Sequence, residues 1–279
     1  MRARFGTGRA TGGGRRPTRA AAGMMGPMQD VLTAFGRAIV SQLHPKMLAL
    51  LVVPFVLAIV FWAATAYGLW DPITGWLQAW LFDGGWLSRL GAWAASHGFT
   101  GFADWTVALL ALLLVVPMMF ATAVVLIGVL AMPLVIRHLG NGPYRDVVPK
   151  GSLALVPSIW NGVSSMLLFA VGYLLSLPLW LIPPLALVVP WLWWSWLTAR
   201  VMRFDSLVEH ADTGERAALI AQKRRSYFLL ALLVTLLNYV PPLFLITPVL
   251  SALAFAHYSL ALLRRRRAAM EVRPAWVSD

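Results

Sequence analysis

The stretch Ser226–Leu263, SYFLLALLVTLLNYVPPLFLITPVLSALAFAHYSLALL, decides the fold: thirty-eight residues without one Asp, Glu, Lys or Arg. A run this long and this apolar belongs in lipid rather than in a soluble core. It is broken near its middle by Asn238-Tyr239-Val240-Pro241-Pro242. Proline has no N–H to donate and its ring clashes with the preceding turn, so a Pro-Pro pair ends or bends a helix. The first arm, Ser226–Leu237, then has twelve residues. As a helix it is about 18 Å long, short of a hydrocarbon core of about 30 Å. The second arm, Leu243–Leu263, is long enough to cross, with Pro248 interrupting it. These lengths predict a hairpin that enters the membrane partway and returns.

The design occurs once before. Gly151–Ala199 carries no charge for forty-nine residues and is broken by Pro178, Pro183, Pro184 and Pro190. Its arms on either side of Pro178–Pro184 are read as short. Two plainer spans precede it: Met47–Trp70, twenty-four uncharged residues with Pro54 as a kink, and Trp105–Ile136, thirty-two residues that Pro117 and Pro133 bend or end. The expected fold is an all-α integral membrane protein with two transmembrane helices plus two proline-broken, partly penetrating helical hairpins. The alternative is a set of full spans with proline kinks, which membranes tolerate when neighbouring groups satisfy the freed backbone.

Composition agrees: 59% of the residues are hydrophobic and only 12% charged. The absence of cysteine removes disulfides, thiolate metal sites and thiol catalysis. The net charge of +12 does not point to nucleic acid, because the basic residues sit in flanks and loops, as positive-inside topology requires. Only the loop Asp71–Asp104 is net acidic. It is rich in Trp, with an interfacial helix expected around Trp86–Ser96. That loop is placed outside, and both termini in the cytoplasm of a bacterial inner membrane.

Residues 1–27 form a basic, glycine-rich tail with six Arg, read as flexible, and translation starting at Met25 or Met28 is the alternative. Residues 28–267 make the membrane domain and 268–279 a cytoplasmic tail. Within the domain, Gln29–Leu43 reads as an amphipathic interfacial helix with Val31, Leu32, Phe35, Ile39 and Leu43 at helical spacing. Asp212 and Glu215 read as a capping box.

Catalysis finds no support. The chain has no G-x-x-x-x-G-K-[ST] loop and no H-E-x-x-H, and Gly162-Val163-Ser164 lacks the second Gly of a serine motif. No Asp or Glu falls inside a segment read as membrane-embedded. No enzyme, metal site or cofactor is expected. An anion path fits better, because a broken hairpin starts a helix inside the membrane, where its N-terminus favours negative charge. Pro183 and Pro184, and Pro241 and Pro242, suit first helical turns, and Asn238 suits a cap. Asn161, Ser164, Ser165, Asn238, Tyr239 and Thr247 are the polar candidates. The competing role for each is to satisfy backbone groups freed by the prolines. His257 is read as a packed histidine rather than a proton relay.

In order and spacing, several places resemble the etoposide-induced protein 2.4 family, whose bacterial members include the CysZ sulfate permeases. They are Ala34-Phe35-Gly36 with Val40-Ser41-Gln42, Ala131-Met132-Pro133, the broken stretch Pro178–Pro190 followed by Phe204-Asp205-Ser206-Leu207, and Pro241-Pro242 with Pro248 before a basic end. The resemblance runs from Met28 to Arg267. It implies two spans plus two hairpins, and uptake of sulfate. Where CysZ proteins carry a Gly-Leu-Arg element before the first span, this chain has His44-Pro45-Lys46, which makes Lys46 the residue to meet an anion. The expected function is a permease or channel for a small inorganic anion, sulfate first, acting in the lipid bilayer as a homo-oligomer. The alternative is a non-transporting scaffold or envelope-maintenance protein of the same family.

Overall fold

A helix that is apolar on every side must be surrounded, by lipid or by protein. The last helix, α9 (Thr247–Glu271), is surrounded by protein: every residue from Val249 to Leu260 is buried. In the computed structural model, which describes residues 26–85, 87–151 and 155–271, α9 is the axis of the molecule. The helices packed against it include α1 (Pro27–Gln42), α4 (Phe102–Gly140), α6 (Pro183–Val208) and α8 (Arg224–Leu236). Val31, Ala34 and Ala38 of α1 join Leu253, Phe255 and Leu260 of α9 in one core. The α1 face that meets α9 is therefore the small-residue face. Of the apolar positions expected at helical spacing on this interfacial helix, Val31 turns into the core and Leu32, Ile39 and Leu43 point outward.

Four helices are long and apolar enough to cross a membrane: α2 (Pro45–Leu81), α4, α5 (Leu155–Leu175) and α6. The chain is a multi-pass membrane protein. α2 and α4, at 37 and 39 residues, are each over 50 Å long. They run antiparallel: Trp62 donates to Thr122 Oγ1 at 3.0 Å, and Leu77 and Leu81 pack on Val107 and Ala111 near the far end. The bends or stops expected at Pro117 and Pro133 do not end α4, and Pro72 does not end α2. Eleven residues expected in the outer loop thus belong to α2. The short helix expected in that loop is α3 (Ser88–Ser96). It closes on Gly98 at φ +91°, where the Phe99 and Gly98 amides reach back to the carbonyls of Ala94 and Ala95, a stop that needs a left-handed residue.

The first broken stretch forms α5 and α6 around a 3-10 turn at Leu177–Leu181. Its arms are not short: 21 and 26 residues give about 32 and 39 Å. Pro183 and Pro184 open α6 as expected, but Pro190 lies inside it, and the helix runs past Ala199 to Val208. It therefore carries Arg200, Arg203 and Asp205, so an acidic residue does lie within a candidate span. At Gly172 the arms come close together; a Cβ there would stand 2.0 Å from the Trp193 ring.

The second stretch breaks where expected. α8 has 13 residues, about 20 Å, too short to cross. Two 3-10 turns, Leu237–Tyr239 and Leu243–Leu245, lead to α9. Pro241 and Pro242 lie in the turn between them rather than in a first helical turn, and Asn238 sits in a 3-10 turn rather than capping a helix. Pro248 does not interrupt an arm; it is the second residue of α9, where its missing N–H has no helical partner to lose. Past α6, the Asp212–Glu215 capping box opens α7 (Thr213–Gln222) as the sequence predicts.

The basic end of α9 is pinned rather than free. Arg264 binds Asp146 and the Pro143 carbonyl, and lies 4.6 Å over the Tyr144 ring. Arg265 reaches Asp30 of α1 at 2.8 Å. Arg267 pairs with Glu215 of α7 and donates to the carbonyls of Val148 and His210.

Candidate anion site

Lys46 is the second residue of α2. The helix start is held by its own cap: His44 Nδ1 accepts from the Lys46 amide at 3.2 Å, Pro45 has no N–H, and the Met47 amide takes the His44 carbonyl at 2.8 Å. Free backbone amides are therefore not the main resource of this helix end. Side chains are. Because α2 and α4 are antiparallel, Lys46 comes beside the last turn of α4, which carries Arg137 and His138. The turn after α4 adds Arg145.

Lys46, Arg137, His138 and Arg145 line one cleft of about 750 Å³, whose floor is Leu50, Val53, Pro54, Leu130 and Leu134. Among the described residues, no carboxylate lines it. Asp146, next in sequence to Arg145, is held by Arg264, and Arg145 bonds the Asn141 carbonyl. His138 also meets the His44 ring, tilted at 55° with centroids 4.7 Å apart. An apolar floor lowers the local dielectric, which strengthens the attraction of the three cations for an anion. Separate cationic donors suit an oxyanion that accepts from several directions.

A second cavity, of about 540 Å³, lies between α4, α6, α8 and α9. It gathers Thr198, Thr235, Asn238, Tyr239, Thr247 and Ser251, with Trp191 and Trp194. Thr235 is already committed: it bonds Ser195 at 2.6 Å and accepts from Trp191 Nε1 at 3.1 Å. α4 lines both cavities, through Val124 here and Leu130 in the basic cleft.

The seven residues expected on an anion path do not converge. Lys46 is in the basic cleft, and Asn238, Tyr239 and Thr247 are in the second cavity. Asn161, Ser164 and Ser165 are on α5, where both serines donate to the Asn161 carbonyl and Ser165 accepts from Arg200 at 2.9 Å. Their hydroxyls do the backbone work that membrane helices commonly ask of serine. His257 is packed, with Ser41 Oγ 2.9 Å from Nε2 and Tyr144 OH 3.2 Å from Nδ1. Arg137, His138 and Arg145 are the cleft residues that sequence reasoning passed over, having read Arg137 and Arg145 as topology signals.

The sequence pattern of the family described as sulfate transporter CysZ/etoposide-induced protein 2.4 matches residues 34–248. The chain belongs to that family. The matched region takes in all four candidate spans, both walls of the basic cleft and the broken turn at Asn238–Pro242. The family includes a sulfate transporter, and its description names no enzyme. Neither curated proteins nor solved structures gave a match to the chain.

Proposed function

We propose that this member of the CysZ/etoposide-induced protein 2.4 family is a permease or channel for a small inorganic anion, with sulfate the first candidate. One observation carries the reading: Lys46, Arg137 and Arg145 share a cleft with an apolar floor and no carboxylate. Lys46 is the residue that stands where the family's basic element is expected; Arg137 joins it from α4 and Arg145 from the turn after α4. The cleft is the capture station. The Asn238–Tyr239–Thr247 cavity beyond α4 is the station inside the membrane, where the Asn238 amide and the Tyr239 hydroxyl offer donors without a fixed charge that would trap the ion.

The α8–α9 hairpin supports partial penetration, since α8 is too short to cross; α5 and α6 are long enough to span. The reading places the protein in a bacterial inner membrane with both termini cytoplasmic, on the side of the basic loops. Few helices enclose little room by themselves, which supports a homo-oligomer as the working form. Equilibrium dialysis of purified protein against radiolabelled sulfate tests the capture step. Saturable binding that weakens about tenfold on Lys46→Gln or Arg137→Gln supports it. Binding that ignores both changes removes the cleft as the site.

A further inference from the structure

On α6, Val189, Leu192, Trp193, Trp196, Arg200 and Arg203 fall at spacings of three and four residues, so they form one stripe along the helix. Its first four members line an apolar groove of about 540 Å³, completed by Leu168 of α5 and Phe228 of α8. Its last two are arginines. The neighbouring helices change character at the same end. One turn from Leu168 stands Ser165, which accepts from Arg200 Nε at 2.9 Å. One turn from Phe228 stands Arg224. Arg200 lies 5.3 Å over the Trp196 ring, and Arg203 is within electrostatic reach of both Arg200 and Arg224. None of the three ion pairs among the described residues involves these arginines.

Three helices thus present an apolar slot that leads, at one end, to Arg200, Arg203 and Arg224. The slot runs about 16 Å from Val189 to Arg200 along α6. A second protein segment laid in it would need an acidic end at that height. A phospholipid has both parts already: an acyl chain and a phosphate one interface apart. We propose that this groove binds an anionic phospholipid, its chain along Leu192, Trp193 and Trp196 and its phosphate between Arg200, Arg203 and Arg224. The site is separate from the basic cleft of α2 and α4 and does not depend on what that cleft carries.

Native mass spectrometry of the full chain released from detergent micelles tests this, with phosphatidylglycerol and phosphatidylcholine of identical acyl chains offered at equal concentration. The expected result is selective retention of phosphatidylglycerol. Arg203→Gln and Arg224→Gln each weaken it about fivefold. Leu192→Trp, which fills the slot and leaves the arginines in place, also weakens it. Arg224 is exposed, so its variant keeps the test open if Arg203→Gln does not fold. Equal retention of the two lipids overturns the proposal, as does indifference to both arginine changes. Displacement of the lipid by an equal concentration of glycerol phosphate also overturns it, by showing a soluble phosphate site in its place.

Discussion

Arg267 and Glu215 form a two-pronged ion pair: Nε stands 3.0 Å from Oε1 and Nη2 stands 2.8 Å from Oε2, across fifty-two residues of sequence. The pair ties the end of the central helix to α7. The same guanidinium holds the carbonyls of His210 and Val148. Glu215→Gln keeps the shape and removes the charge, leaving a mostly buried arginine without its counter-ion. The expected cost is about 2 kcal/mol, seen as a lower melting temperature in detergent with the elution volume unchanged.

Acid should act on the same place. The hydrogen bond from Arg267 holds the Glu215 carboxyl below its ordinary value, so its contribution is present above the unfolded value and is lost as pH falls through the folded one. Burial, with Arg267 adding to it, lowers His210 as well. Its folded form resists a proton that the unfolded chain accepts, so stability also falls as pH drops below its ordinary value of 6.5. Two successive losses are expected on acidification, the first starting near pH 6.5 and the second below 4.5, the ordinary value for Glu215. His210→Gln should flatten the first and leave the second; melting curves at stepped pH separate them.

Gly172 sets the distance between α5 and α6. Gly172→Ala puts a methyl into the Trp193 ring, which is rigid and must move as a whole to clear it. A loss of about 2 kcal/mol is expected from overpacking. Trp193→Phe in the same chain should recover much of it. Thermal unfolding of the single and double variants gives the answer as a coupling between the two positions.

Binding and passage should separate by residue. Lys46→Gln and Arg137→Gln are expected to weaken sulfate binding, the more so as sodium chloride screens the remaining cations. Asn238→Ala should leave binding at the cleft unchanged and slow passage, because Asn238 lines the other cavity. Dialysis and liposome uptake measured on the same preparations show whether the two effects divide this way.

Much of the architecture was legible because lipid imposes strict rules on length. The spans, the break at Asn238–Pro242 and the α6 start at Pro183 follow from apolar run length and proline chemistry. The Asp212–Glu215 cap follows from local hydrogen bonding. Pro117 and Pro133 do not end α4, since a helix in membrane can run through a proline when neighbours satisfy the freed carbonyl, and the charge at Asp71 does not end α2. α9 was read as a membrane arm with no word on its neighbours, and most of it is enclosed by other helices of the chain: lipid tails and leucines are equally apolar, so sequence alone does not say which surrounds a helix. The cleft was half legible. Lys46 was found by resemblance. Arg137 and Arg145 lie some ninety residues further on, and a cation at the end of a span reads as topology until the antiparallel pairing of α2 and α4 brings it beside Lys46.

The most direct measurement is radiolabelled sulfate entry into liposomes carrying the purified protein, beside empty liposomes and a Lys46→Ala, Arg137→Ala double variant that elutes as a single sharp peak. The account expects protein-dependent entry that the double variant largely loses. Sulfate entry no faster than in empty liposomes, or equal entry by the variant, would contradict it and favour the scaffold reading or another route through the protein.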